Sequence, residues 1–263
     1  MYHAFELTAK FSNGKKELPH YYNEGKSQFD NDQKFINSKL EEFLLPNGNF
    51  DASSMKDTWF PQIQADIFLS HAHVDEEFAL IIAGYLKKEL GLKVFIDSCV
   101  WGDSNKLLQT IDNEICKNDD GKTYNYQKRN YTTTHIHIML ASALHEMIYN
   151  TEAVFFLNTH KSAKVNTKDL VKRTESGWIY SEIKMCNLVH RRLPNEHDAR
   201  ESFKKLKLFA SGGLTESLKS FEWELDTSSF KQLTWSDIRL WRNNINIDTH
   251  PLDTLYEQCQ IVK

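Results

Sequence analysis

The sequence has 263 residues, of which 40% are hydrophobic and 12% aromatic, enough apolar material for one large domain with extensions. Charges of both signs are mixed and the formal net charge is only −4, which argues against a disordered chain and offers nucleic acid no basic stripe. The short cluster Lys204-Lys205-Leu206-Lys207 reads as a solvated helix face.

The cysteines, Cys99, Cys116, Cys186 and Cys259, form no CxxC pair, so reduced, incidental thiols in a cytoplasmic protein are expected. The first 16 residues lack an apolar signal core. The longest apolar run, residues 78–84, is far short of the roughly 20 that cross a bilayer, so no membrane partner is expected.

Residues 1–60 are mostly polar and poorly patterned, and read as an extension packed on a core domain of residues 61–263. Within the extension, residues 30–45 suit one amphipathic helix through Phe35, Ile36, Leu40, Phe43 and Leu44, ended by the turn signal Pro46-Asn47-Gly48-Asn49. Asp57-Thr58-Trp59-Phe60-Pro61 is an aromatic anchor beside the first strand.

The core starts with a strand over residues 66–69, followed at once by a polar loop and a helix over 76–90 that Gly91 caps. A second strand spans 93–96 and ends on Asp97. The loop 98–104 follows, then a helix over 106–116 and a polar, exposed insertion over 117–132. Residues 134–149 carry a clear helical face. Ala153-Val154-Phe155-Phe156-Leu157 is an unbroken apolar run of the kind buried on both faces of a sheet. After a polar loop over 159–173, a helix covers 178–191 and Pro194 closes it.

Further on, residues 199–209 suit a helix, Gly212-Gly213 a break and 221–225 a strand. Residues 237–243 suit a helix with Ser236 as N-cap, and 251–259 a terminal helix. Strands alternating with helices predict an α/β fold with a mostly parallel sheet, whose ligands bind at the carboxyl ends of the strands. Neither GxGxxG nor GxxxxGK[ST] occurs, so the usual nucleotide cradles are absent.

Three constellations could carry chemistry. Trp178 and Glu182 stand four apart and share a helix face. A flat aromatic can stack on a heterocycle, and a fixed carboxylate can stabilise the oxocarbenium-like state of N-glycosidic cleavage. The same spacing also describes an ordinary amphipathic helix with Trp178 in the core and Glu182 in water. His71-Ala72-His73-Val74-Asp75 has the HxHxD form that opens the metal site of metallo-β-lactamase-type hydrolases, but Glu76 stands where that motif continues with histidine. No later histidine offers a convincing further ligand. Asp97 with Trp101, Gly102 and Asp103 could bind a sugar or amide, or could be a cap and a turn.

In this order the pieces resemble the Toll/interleukin-1 receptor (TIR) domain family. Asp66-Ile67-Phe68-Leu69-Ser70-His71 is similar to its first box, Val94-Phe95-Ile96-Asp97 to its second strand, residues 98–104 to its BB loop, and Ser176-Gly177-Trp178-Ile179-Tyr180-Ser181-Glu182 to the helix bearing the catalytic glutamate of TIR enzymes. The resemblance covers residues 66–191, and the carboxyl-terminal part resembles the extended ends of bacterial TIR proteins. It departs from common patterns in the long stretch 117–149 and in Gly177, where related bacterial sequences often have proline.

The resemblance implies a flavodoxin-like five-stranded sheet flanked by helices, with an N-terminal helical extension. It also implies cleavage of the nicotinamide–ribose bond of NAD, which is substrate and not cofactor. The product would be a linear or cyclic ADP-ribose-derived signal in bacterial antiphage defence of the Thoeris type, read by a separate effector protein. By position Glu182 would be catalytic, Trp178 would stack near a base, Ser70, His71 and Asp97 would line the pocket, and Trp101 would close it, with no metal. Self-association through TIR surfaces would complete the site. The alternatives are a non-enzymatic TIR–TIR interaction module working through an exposed Trp101 loop and, more distantly, a metal-dependent hydrolase using HxHxD.

Overall fold

Short apolar segments far apart in the chain come together as one parallel sheet. The computed structural model describes residues 1–9, 18–29, 40–101, 104–165, 167, 169–197, 200 and 222–261. The strands are β1 (His3–Thr8), β2 (Ile67–Ser70), β3 (Val94–Phe95), β4 (Ala153–Leu157), β5 (Lys164–Val165), β6 (Lys172–Thr174), β7 (Trp223–Glu224) and β8 (Lys231–Thr234). Five of them form an all-parallel sheet in the order β3-β2-β4-β1-β8, and β5-β6-β7 form a small antiparallel one.

The middle of the large sheet is apolar on both faces. Ile67, Phe68, Phe95, Phe155 and Phe156 are at most 1% exposed, which is what helices on both sides of a parallel sheet require. Register fixes the ends: Leu69 pairs with Phe155 and Ser70 with Phe156. β3 lies on one side of β2 and β4 on the other. The chain leaving β2 therefore turns one way and the chain leaving β4 turns the other, toward β8. The carboxyl ends of β2 and β4 form the switch point at which open α/β sheets bind ligands.

The sheet is flanked by α1 (Pro19–Phe29), α2 (Ala52–Trp59), α3 (Glu76–Leu90), α4 (Asp97–Val100), α5 (Ser104–Ile111), α6 (Tyr126–Asn150) and α7 (Gly177–Leu188), with helices Trp235–Asn243 and Pro251–Gln258 near the end. Gly91 caps α3 with a left-handed φ of 69°, as the sequence predicts. Among the described residues no helix is long and apolar enough to cross a membrane, and all four cysteines are free.

Several expectations need correction. The amino-terminal stretch is not wholly an outer extension, because β1 sits inside the sheet between β4 and β8. Its polar residues disguised it. Glu6 is 2% exposed but accepts hydrogen bonds from Lys172 (2.5 Å), Gln232 (3.1 Å) and Asn158, and buried His3 meets Arg191 at 3.2 Å. The helix expected over 30–45 falls largely on residues outside those described, and Leu40–Phe43 is a single 3₁₀ turn.

The segment 106–116 changes to a π-helical turn at Asp112–Cys116. The insertion 117–132 is half helical: Asn125 accepts the Lys128 amide at 3.0 Å and starts the 25-residue α6. The loop over 159–173 contributes β5 and the start of β6, and the strand expected over 221–225 is β7, in the small sheet. The helix cap is Thr234, not Ser236. Its hydroxyl accepts the Asp237 amide while the Asp237 carboxylate accepts the Thr234 amide. The helix expected over 199–209 and the Gly212-Gly213 break lie outside the described residues.

Helix α1 was also not expected, because its own apolar face is weak. It is held by close approach to α3. A Cβ on Gly84 would stand 1.9 Å from the Tyr21 carbonyl oxygen, and one on Gly25 1.9 Å from the Leu80 carbonyl oxygen. Both obstacles are backbone, which cannot swing away. Gly84→Ala is expected to destabilise the fold by roughly 1–3 kcal/mol through overpacking. That is a fall of several degrees in Tm, measurable by thermal or urea unfolding. An unchanged midpoint would mean that the two helices do not cross this closely.

Candidate active site at the carboxyl ends of β2, β3 and β4

Helix α7 carries the central residue. Ser176 caps its amino end by accepting the Ile179 amide at 3.2 Å, and the His145 ring meets the Ser181 hydroxyl at 2.9 Å across to α6. The face turned inward is Ile179, Glu182, Ile183 and Cys186. That is an apolar stripe at i, i+3, i+4 and i+7 with one carboxylate in it.

Glu182 is 4% exposed. Its Oε2 accepts the Ser70 hydroxyl at 2.5 Å, so a residue ending β2 holds a residue 112 positions later. Among the described residues Glu182 has no ion pair. Burial, then the neighbouring Asp97 carboxylate, push its pKa well above the ordinary carboxylate value, against the Ser70 hydrogen bond that lowers it. Both effects favour the protonated acid over the carboxylate. The Cys186 thiol, one turn further on, is pushed up by burial and by Glu182, and is inert as a nucleophile.

Asp97 opens α4 directly after β3 and is half-buried. β2 pairs with β3 through Ile67 with Val94 and Phe68 with Phe95. The pairing ends there and α4 begins at Asp97, whose carboxylate is close enough to act on Glu182. Ser70, Asp97 and Glu182 thus gather at the switch point, from two strand ends and a helix.

His71 follows Ser70 and is 8% exposed. Burial lowers its pKa, opposed chiefly by the carboxylates of Asp97 and Glu76, so the ring is held neutral. The rest of the HxHxD run points elsewhere. His73 is exposed and stands 4.0 Å from Glu76, and Asp75 accepts the Thr159 hydroxyl at 2.6 Å. Among the described residues no group of three or more potential ligands is arranged around a metal position.

Two expected pocket residues sit differently. Trp178 is half-buried and rests edge-on to the His137 ring, with centroids 5.5 Å apart, so it packs on α6. Trp101, expected to be exposed, is not. Trp101 is 3% exposed, its indole N–H donates to the Pro61 carbonyl at 2.9 Å, and it meets Phe95 and Phe60 edge-on. Gly102 and Asp103 lie outside the described residues.

Sequence reasoning did not find the supporting hydrogen bonds, Ser98 to Glu76 (3.0 Å) and Thr159 to Asp75. No spacing signal could reveal either, because each joins segments that follow different strands. It also missed a cavity of about 530 Å³ on the same side of the sheet. Val74 from the loop after β2, His160 and Lys161 from the loop after β4, and Arg173 and Glu175 leading into α7 line it. Glu182 is not among its lining residues.

No protein-family model, curated protein or solved structure matches the chain.

Proposed function

We propose that the chain is a TIR-like NAD-consuming enzyme in which Glu182 stabilises positive charge as the nicotinamide–ribose bond breaks. The observation that carries this reading is a buried carboxylate without an ion pair among the described residues, held by one hydroxyl at the switch point of a parallel sheet. Such a group is unfavourable for folding and suited to a ligand that brings positive charge. The oxidised nicotinamide ring is a cation, and the charge moves onto the ribose as the bond breaks.

In the step, the electron pair of the bond between ribose C1′ and the ring nitrogen leaves with the ring, and nicotinamide departs neutral. No general acid is needed. The cation at C1′ faces the carboxylate and is trapped by water or by an adenine nitrogen, with loss of a proton from the nucleophile. The product, a linear or cyclic ADP-ribose-derived signal, would act on a separate effector in bacterial antiphage defence.

The flavodoxin-like TIR frame is part of the same proposal. β3-β2-β4 reproduces the 2-1-3 start of the flavodoxin order. The place beside β4 is taken by the amino-terminal β1, with β8 at the edge, which departs from that order. The interaction-module alternative drew on an exposed Trp101 loop and on the helical extensions, and of these Trp101 is buried.

The test is incubation of concentrated protein with NAD, followed by chromatography and mass spectrometry. Release of free nicotinamide is expected, and the mass of the partner product separates hydrolysis, cyclisation and transfer. No nicotinamide from purified protein, nor from extracts of phage-challenged cells expressing it, would overturn the proposal.

A further inference from the structure

We propose that the cavity of about 530 Å³ beside the loop after β4 is a second ligand site, one that takes a nucleoside diphosphate. His160 and Lys161 meet its phosphates, and Glu222 accepts from a ribose hydroxyl. Glu182 does not line this cavity, so the inference goes beyond the reaction proposed for that residue.

The loop after β4 is fixed by its own hydroxyls. Thr159 Oγ1 accepts the Lys161 and Ser162 amides at 3.0 and 3.1 Å and donates to Asp75 at 2.6 Å. Ser162 Oγ accepts the Thr159 amide and donates to the Leu157 carbonyl, both at 2.9 Å. The His160 ring and the Lys161 ammonium take no part in this bonding, and both residues line the cavity. Among the described residues neither side chain has a hydrogen bond or an ion pair. A loop that is already ordered loses little freedom when a ligand binds to it.

The other cations of the lining are engaged. Lys164 pairs with Glu175 at 2.8 Å, and Arg173 makes a two-pronged pair with Asp169 at 2.7 and 3.1 Å. Among the described residues, Lys161 is therefore the lining cation left without a carboxylate. Glu222, entering β7, acts electrostatically on Lys164 and Arg173 but has no ion pair among the described residues. An anion is drawn to Lys161, and hydroxyl donors are drawn to Glu222, because a carboxylate only accepts. Val74 and Ala163 add apolar wall. A molecule with phosphates, vicinal hydroxyls and a flat base matches all three kinds of wall. Pockets of roughly 300–1,000 Å³ enclose whole small ligands, which favours a nucleotide over a single phosphate ion. Recognition falls to side chains, in keeping with the absence of GxGxxG and GxxxxGK[ST] from the sequence. The place is also one where open α/β sheets bind ligands, beyond the carboxyl ends of the strands.

The experiment titrates ADP, adenosine and inorganic phosphate by calorimetry into the parent and into Lys161→Ala, His160→Ala and Glu222→Ala proteins. ADP should bind the parent, with adenosine and phosphate each weaker by about tenfold or more. Lys161→Ala should weaken ADP by about tenfold, the scale of one charge-assisted hydrogen bond, and adenosine by less than about twofold. His160→Ala should act in the same sense. Glu222→Ala should narrow the preference for ADP over its 2′,3′-dideoxy analogue. All three side chains are exposed, so unchanged unfolding midpoints are expected and would exclude a folding defect.

No ADP binding by the parent, or equal affinity for ADP and inorganic phosphate, would overturn the assignment. So would ADP binding that Lys161→Ala leaves unchanged, since the nucleotide would then lie elsewhere. Nicotinamide release is a separate readout. Its absence, with Lys161-dependent ADP binding intact, would count against the enzymatic reading and leave this site standing. Release from NAD without Lys161-dependent ADP binding would overturn this site and leave the enzymatic reading standing.

Discussion

Glu182→Gln is expected to abolish nicotinamide release, by a factor of about 10³ or more, and at the same time to make the protein more stable at neutral pH. The activity loss follows from removing the charge that opposes the developing cation in a site shielded from water. Single preorganised electrostatic groups contribute factors of about 10² to 10³, or roughly 3–4 kcal/mol. The stability gain follows from the same burial. The folded-state pKa of Glu182 lies well above its ordinary value of 4.5.

Between those two values the folded protein holds a proton that the unfolded chain has released. Stability therefore falls as pH rises from about 4.5 through the folded-state pKa. Glutamine removes that dependence and still accepts the Ser70 hydrogen bond. A gain on the order of 1 kcal/mol is expected above the raised pKa, about 2–4 °C in Tm for a chain of this size. The parent should show a steeper decline with pH than the variant. In the parent, nicotinamide release should rise with pH through the same titration, because the ionised form does the work. A variant that is inactive but also less stable would point to a structural glutamate and remove the main support for an enzyme.

The parts of this fold that were legible in the sequence are those whose burial is regular. β4 is an unbroken apolar run, and α3 carries apolar residues at helical spacing up to a glycine cap, so both stood out. β1 did not, because His3 and Glu6 read as surface residues and are in fact buried with partners from distant loops. β8 is an edge strand in which only Leu233 is buried, so its pattern is thin. α1 depends on two glycines meeting backbone, a contact invisible to hydrophobic periodicity.

The site shows the same divide. Ser70, Asp97 and Glu182 were each named from local motifs, but the contact between Ser70 and Glu182 spans 112 positions and is a product of topology. The burial of Glu182 could have been read from Ile179, Ile183 and Cys186, which place it on the inward stripe. Trp101 was misread because a Trp-Gly pair in a loop suggests exposure. The Pro61 carbonyl and the ring of Phe95 instead pull it inside.

Whether a buried carboxylate signifies function depends on how the same sheet treats its other carboxylates, and Arg200→Met measures this. Glu152, just before β4, is fully buried at the opposite end of the strands. It receives Arg200 Nε and Nη2, each at 2.5 Å, and the Tyr256 hydroxyl at 2.7 Å, while Arg200 also reaches Asp253 at 3.0 Å. Near this cluster burial pushes Asp66 up to about 6, opposed first by the Lys93 amide. Removing the guanidinium leaves Glu152 buried and unneutralised, which costs roughly 3–5 kcal/mol, or a fall on the order of 10 °C in Tm. Adding Glu152→Gln to Arg200→Met should recover much of the loss, because the two residues form one unit. With Glu6 held by Lys172 and Glu152 by Arg200, the fold neutralises these two buried carboxylates with cations of its own. Glu182 has none among the described residues, and neither has buried Asp75, which the Thr159 hydroxyl holds; at Glu182 the proposed cationic substrate would supply the missing charge. If Arg200→Met proved nearly neutral, this sheet would tolerate a buried unpaired carboxylate at little cost, and the burial of Glu182 would no longer argue for a cationic ligand.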